Sequence, residues 1–452
     1  NKWFDTECRQ LKRDVSRSLN KYIRSRTTDD RVTYLHKRSQ YQTLIKEKKK
    51  AYKQSIHESL LQNRNNSNTV WSTIKRARSR VVNRVSIEIN VWKDYFARVL
   101  GQRTATTAEQ EPHVADVTVD DDVVVNVDDD GDDVHISDLD DEITLIEVKN
   151  AIRRLKLGKA SGLDEVVAEF LKTAVHIVSP FLTKLFNRLY DSGTFPDEWS
   201  KAVIVPLFKK GDTSNPENYR GISLLSIVSK VFTSILNKRL YQWAESEHKI
   251  CEEQAGFRKH YATTDHIFSL VSMIKKCLYG QRRSKFYVVF VDYLKAFDSV
   301  DRDRLWGVLQ KVKTSTKMLR MLQGMYKTVQ SCVRWGADVS EFFDCPFGVR
   351  QGCQISPLIF SLLITEVADS VTSKGKHGFQ FLPGLQEIFL LLFADDICLI
   401  STTPAGLQNQ INNLEKASSA LGLTVNLNKT KVMVFRKGGA FRKNEKMVLS
   451  GS

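Results

Sequence analysis

Ile388-Phe-Leu-Leu-Leu-Phe-Ala-Asp-Asp-Ile-Cys-Leu-Ile400 decides the reading of this chain. Two apolar runs meet at Asp395 and Asp396. The pattern predicts a β-hairpin with buried arms and both carboxylates at its tip. Adjacent like charges are costly unless a cation neutralises them. Mg²⁺ suits such a place, because it takes one or two carboxylates and completes its shell with water or phosphate oxygens. On its own the tip reads rather as an ordinary solvated Asp-Asp turn. A second acid shifts the balance: Val288-Val289-Phe290-Val291-Asp292 reads as a strand ending in a carboxylate. A strand-end acid beside a hairpin-tip acid is the arrangement that bridges two metal ions about 3.5–4 Å apart. The competing reading makes Asp292 the N-cap of a helix starting at Lys295-Ala296-Phe297. Asp298 and Asp301 read as caps or solvated acids.

Outward from this centre, the 452 residues suffice for two or three domains. The net charge is +16, but 104–148 holds 16 acidic residues and no Lys or Arg, so the remainder carries +32. That body calls for a polyanionic partner. Seven cysteines without a CxxC pair argue against a disulfide framework or a zinc site and fit a reducing, intracellular compartment. No apolar run approaches the ~20 residues of a membrane span. The chain opens on Asn1, which suggests a piece of a longer reading frame.

Residues 1–100 contain neither Gly nor Pro. Tyr41, Ile45, Tyr52, Ile56 and Leu60 recur at helical spacing among lysines, predicting a basic helix at 33–60. A second helix is expected near 90–100, around Trp92, Tyr95 and Phe96. Its basic neighbour reads either as a solvated face or as a phosphate-tracking surface. Residues 104–142, with Asp-Asp-Asp twice, predict a self-repelling acidic linker. Helices follow at 145–155, 165–175, 180–192 and 224–243, with strands at 202–208, 287–291, 388–394, 397–400 and 430–435. Helices mixed with scattered short strands indicate an α+β fold.

Taken in order, these pieces resemble the reverse transcriptases of non-LTR (LINE- and jockey-like) retrotransposons. Asp292-Tyr-Leu-Lys-Ala-Phe-Asp-Ser-Val resembles motif A, Gly348-Val-Arg-Gln-Gly-Cys-Gln-Ile-Ser-Pro357 motif B, and Phe-Ala-Asp-Asp motif C. Phe208-Lys-Lys-Gly-Asp with Asn218-Tyr-Arg-Gly-Ile-Ser-Leu resembles fingers motif 1, and Gln254-Ala-Gly-Phe-Arg with Thr264-Asp-His resembles motif 2. Leu155-Lys-Leu-Gly-Lys-Ala-Ser-Gly-Leu-Asp164 is similar to the extra N-terminal motif of these elements, and Leu421-Gly-Leu-Thr-Val-Asn-Leu-Asn-Lys-Thr-Lys to motif D. Each motif is weak alone; seven in family order over about 145–435 are specific. Trp3-Phe4-Asp5 and Trp92-Lys-Asp-Tyr-Phe96 resemble the stretch after an apurinic-type endonuclease, which would precede Asn1.

The resemblance implies a right-hand polymerase: a helical extension at 1–103, the linker at 104–142, fingers at 143–285 and palm at 286–452, with the thumb beyond. It implies an RNA-directed DNA polymerase using an RNA template, a DNA primer, dNTPs and two Mg²⁺ ions, with Mn²⁺ as a substitute. Asp292, Asp395 and Asp396 would be catalytic and metal-binding. Phe297 would be the gate against a ribose 2′-hydroxyl. Arg220 and Lys209 or Lys210 would hold the triphosphate, and Gln351 and Gly352 would lie beside the sugar. Lys429 would meet pyrophosphate, and Phe257 and Arg258 the template. Lys259-His-Tyr-Ala262 and the bulky Tyr293 depart from the family pattern. Work in the nucleus, with a cytoplasmic ribonucleoprotein stage, is the implied setting. The rivals are a catalytically inactive RNA-binding remnant, an RNA-copying RNA polymerase and a group II intron maturase.

Overall fold

The computed structural model describes residues 4–62, 87–101, 134–280, 284–438 and 447. The chain divides into two compact units, Asn1–Val85 and Ser86–Ser452.

The first unit pairs two helices, Thr6–Ser25 and Thr28–Gln62. Asp5 caps the first by accepting from the Cys8 amide at 3.1 Å. Arg26 ends it in the left-handed region, at φ 55°. Lys48 reaches back to Asp5 at 2.7 Å and Glu7 at 2.8 Å, tying the first helix to the middle of the second. The helix expected at 33–60 is present and begins earlier, at Thr28; the Thr6–Ser25 helix lies outside that expectation.

The second unit holds the strands of the described residues. They are β1 Lys201–Phe208, β2 Tyr219–Leu224, β3 Phe286–Val291, β4 Gln330–Trp335, β5 Asp338–Val339, β6 Phe343–Asp344, β7 Leu390–Phe393, β8 Asp396–Ser401 and β9 Lys431–Phe435. One sheet runs β2-β1-β4-β5, with β6 also on β4; the other runs β7-β8-β3-β9. Every expected strand is present. The fold is α+β, with antiparallel pairing except between β1 and β4.

β3 is apolar without alternation because both of its faces are covered except at Phe290, which is 39% exposed. Tyr287, Val289 and Val291 enter the main core, while Phe286 and Val288 enter a second cluster with Met273, Phe379 and Ile400. That double burial fixes the strand's register and so the position of Asp292 at its end.

The Ile89–Gly101 helix, expected to belong with the extension, packs instead on the first sheet. Trp92 meets Tyr219 edge-on at 4.8 Å between centroids and Trp335 at 5.1 Å. Gly221 is needed for this fit, since a Cβ there would lie 2.7 Å from Phe96.

The acidic stretch expected as linker lies outside the described residues up to position 133. Its last part corrects the expectation: Ser137–Asp140 is a helical turn with Leu139 fully buried. Tyr190 Oη donates to the Leu139 carbonyl at 2.8 Å, and Ser315 Oγ to Asp140 at 2.5 Å. Arg239 collects the Leu139, Asp141 and Glu142 carbonyls and pairs with Glu147 through two bonds of 2.9 Å. Like charge is tolerated here because one buried guanidinium answers it. The helix expected at 165–175 is a short one, Ala168–Thr173, before Val175–Ser192.

Candidate active site at the β3 end and the β7–β8 turn

β3 and β8 are antiparallel with Val291 opposite Ile397, so Asp292 leaves the sheet beside Asp396. The β7–β8 turn pairs Phe393 with Asp396 and leaves Ala394 and Asp395 as its two central residues. Ala394 has φ 60°. A positive φ at the first central position is the type II′ pattern, normally a glycine place. Asp292 starts no helix; the cap of Arg302–Lys311 is Asp301, which accepts from the Asp303 amide at 3.1 Å.

A cleft of about 740 Å³ opens above this end of the sheet. Asp292, Asp395, Phe297, Arg220, Lys209, Gln351, Gly352, Lys429 and Phe257 all line it. Residues expected from six separate motifs therefore line one cleft. A second cavity, of about 680 Å³, lies on the other side of the acids; Asp292, Asp396 and Lys429 line it with Phe290, Phe393 and Ile397. Asp292 thus faces both cavities, whereas Asp395 and Asp396 divide between them.

The Asp292 carboxylate is held from the motif D segment. Asn426 Nδ2 donates to it at 3.0 Å and Lys429 Nζ at 2.9 Å, while the Asn426 amide donates to the Asp292 carbonyl at 2.7 Å. Lys429, expected at the pyrophosphate, here pairs with the Asp292 carboxylate. Burial, then Asp395 and Asp292, push the Asp396 carboxyl above the usual range, and Lys429 draws it back. Burial also raises Asp298, against the pull of Lys295 and Arg220.

Among the described residues no three acidic, histidine or cysteine side chains converge as a ready-made metal cage. The donors present are hard carboxylate oxygens that repel one another. Such a set fits an ion like Mg²⁺, which needs few protein ligands and takes the rest from water and phosphate.

Motif B docks on motif A through its backbone. The Gly348 amide donates to the Val300 carbonyl and the Val349 amide to that of Phe297, both at 2.8 Å. A Cβ on Gly348 would lie 2.6 Å from the Asp298 carbonyl oxygen. Arg302 gathers the Cys345, Phe347 and Gly348 carbonyls below this loop. Gly352, at φ 84°, has the Ser223 carbonyl oxygen 3.0 Å from where a Cβ would sit, so β2 abuts the loop. Phe297 stacks on Phe360 at 4.3 Å and meets Phe257 edge-on at 6.2 Å. It is therefore both a packing residue and a cleft wall. Tyr293 turns into the core, bonded to Ser418 at 2.6 Å, which explains its bulk.

Two expected contacts fall elsewhere. Arg258 is a correction: its side chain is 5% exposed, bonded to Glu245 and to the Cys251 and Gln254 carbonyls, and it does not line the cleft. Phe257, 55% exposed at φ 62°, keeps its place on the cleft. Lys210 is exposed but does not line the cleft, which leaves Lys209 as the lysine of that pair. Sequence reasoning missed Asn426, Gln254 and the cleft-lining Tyr95, Phe96 and Val99 of the Ile89–Gly101 helix.

Comparison with known proteins agrees with this geometry. The family described as reverse transcriptase (RNA-dependent DNA polymerase) matches residues 208–448, more than half of the chain. A relative named probable RNA-directed DNA polymerase from transposon BS, of Drosophila melanogaster, is 28% identical over 300 residues, covering 64% of this chain and 32% of its own length. The transposon TX1 uncharacterized 149 kDa protein of Xenopus laevis is 27% identical over 294 residues, 65% of this chain and 22% of its own. The RNA-directed DNA polymerase from mobile element jockey of Drosophila melanogaster is 24% identical over 308 residues, 65% and 32% respectively. The chain thus spans between a fifth and a third of the length of these relatives. An apo telomerase from Candida Tropicalis, truncated from its C-terminal domain, aligns at TM-score 0.40 and 12% identity over 57% of this chain and 56% of that one, too distant to carry an argument. With the acids of motifs A and C at one cleft and the family matched from motif 1 past motif D, the chain belongs to the reverse transcriptase family, with relatives among the non-LTR retrotransposable elements.

Proposed function

We propose that this chain carries out RNA-templated DNA synthesis, extending a primer 3′-hydroxyl with dNTPs. The supporting observation is the single cleft shared by Asp292, Asp395, Arg220, Lys209, Phe297, Gln351 and Gly352. Phosphoryl transfer asks mainly for positioning and charge neutralisation. Arg220 offers a planar fork and Lys209 a compact charge to the triphosphate. Gly352 brings backbone close to the sugar, and the Phe297 ring occupies the space a 2′-hydroxyl would need. Asp292 and Asp395 would hold the divalent ions, with Asp396 beside them across the turn. Such ions would supply positive charge to the attacking and leaving oxygens. Lys429 would then exchange Asp292 for the departing pyrophosphate.

RNA template and DNA primer would cross the cleft mouth, where Phe257 offers a stacking face. In an intact element the same chemistry would be primed at nicked chromosomal DNA, which places it in the nucleus. Primer extension on poly(rA)–oligo(dT) with Mg²⁺ tests the reading. Asp395→Ala should lower incorporation about 10²-fold or more, the scale on which loss of a charge-stabilising group acts. Equal incorporation by both proteins removes the metal assignment. Absence of extension by a folded wild-type chain that still binds the duplex favours the RNA-binding remnant.

A further inference from the structure

We propose that Gln254 is a positioning residue of the catalytic turn: its side-chain amide clamps the backbone of Ala394 and thereby sets where Asp395 points. The inference rests on Asp395 being a metal ligand.

Gln254 is fully buried, and its side-chain amide bonds to Ala394 and Gly256. Its Oε1 accepts from the Ala394 amide at 2.8 Å and the Gly256 amide at 2.7 Å. Its Nε2 donates to the Ala394 carbonyl at 3.2 Å. The orientation is unambiguous, because a flipped amide would set a donor against two N–H groups. One side chain therefore grips both the donor and the acceptor of a single residue, in front of Asp395.

That residue needs gripping. Ala394 is an L-residue at φ 60°, a conformation that glycine adopts freely and other L-residues rarely do. Such strain persists only where the surroundings over-determine it. The neighbours do so. The Ala255 amide donates to the Leu392 carbonyl and the Leu392 amide to the Glu253 carbonyl, both at 2.9 Å. His266 Nε2 also meets the Leu392 carbonyl, at 2.8 Å. β7 is thus tied to 253–255 at Leu392, and the ties continue onto the turn through Gln254.

The test uses the full chain and two readouts: Mn²⁺ binding by electron paramagnetic resonance, and steady-state primer extension. Gln254→Met keeps the volume and removes every bond. We expect it to raise the Mn²⁺ dissociation constant about tenfold, or about 1.4 kcal/mol. It should lower kcat by a similar factor and leave the dNTP KM within about twofold, because the loss falls on the reacting geometry and not on nucleotide binding. If that variant melts early, Gln254→Asn, which keeps the amide and shortens its reach, takes its place.

Ala394→Gly supplies the discriminating arm. Glycine adopts the turn without strain, so in the Gln254→Met background it should recover much of the Mn²⁺ affinity. A glutamine that merely satisfied buried backbone groups would show no such rescue. Wild-type Mn²⁺ binding by Gln254→Met, or a defect that Ala394→Gly leaves untouched, overturns the proposal. Asp395→Ala separates the levels. If it weakens Mn²⁺ binding while Gln254→Met does not, only the clamp is wrong. If it too binds normally, the metal reading fails and the clamp with it.

Discussion

Gly256→Ala is the smallest change that should disable the site without touching an acid. A Cβ built on Gly256 would lie 2.2 Å from the Ala394 nitrogen, 2.7 Å from Gln254 Oε1 and 2.9 Å from the Ala394 Cα. Gly256 is not in the left-handed region, so conformation does not demand glycine there; space alone does. Two of the three crowded atoms are backbone, and both segments are pinned by the bonds that lace 253–255 to β7. Nothing nearby is the loose end of a flexible side chain. The turn or the 254–256 segment must therefore shift, by about the ~1 Å that separates 2.2 Å from an ordinary contact. Overpacking of this kind costs about 1–3 kcal/mol of stability. A displacement of about 1 Å at reacting groups costs about 10²-fold in rate, or about 2.7 kcal/mol of barrier. Primer extension should thus fall about a hundredfold, while thermal melting stays cooperative and moves down by a few degrees. Extension within about twofold of wild type, from a protein with normal melting, would refute the claim that the 254–256 segment abuts the catalytic turn.

Three further outcomes follow. Arg239→Met should destabilise the second unit by about 3–5 kcal/mol, read as a lower urea midpoint, because it strands a half-buried Glu147 and three carbonyls. Burial raises Glu147, but Arg239 and the Thr144 amide overcome this and hold its carboxyl below the usual range. The pair's contribution is therefore full above the ordinary glutamate range and is lost as pH falls through the depressed value; Glu147→Gln should flatten that part of the stability profile. Phe297→Val should raise the ribonucleotide kcat/KM relative to the deoxyribonucleotide one by about 10–200-fold, the scale of a shape-based pocket. Unchanged discrimination would leave Phe297 as a packing partner of Phe360 only.

What the sequence made legible is set by how local each signal is. The arms of the β7–β8 hairpin and most of β3 are uninterrupted apolar runs because both faces are covered, so their acids stand out as breaks. Asp292, Asp395, Phe297 and Arg220 could be singled out because each belongs to a short motif whose residue types match a chemistry. Arg258 lies in such a motif too, yet it folds inward to Glu245, since a basic side chain has the same composition whether it meets phosphate or a buried carboxylate. Residues 134–142 went wrong for the converse reason. Composition registered their charge but not Arg239, about a hundred positions later, which neutralises and orders them.

Gln254 and Asn426 show the limit most clearly. Each acts through the backbone or carboxylate of a residue more than 130 positions away. An amide side chain carries no mark of that task, because any buried amide would make similar bonds with whatever main chain it met. The reactive acids are readable because the chemistry dictates their type. The groups that aim them are dictated by close approach, and close approach exists only after folding. For Gln254 the steric trace in the chain is the glycine at 256, the residue type that permits the contact without describing it. A search for such positioning residues should therefore start from glycines outside the left-handed region whose missing Cβ would strike the backbone of a catalytic turn, and then ask which neighbouring side chain holds that turn in place.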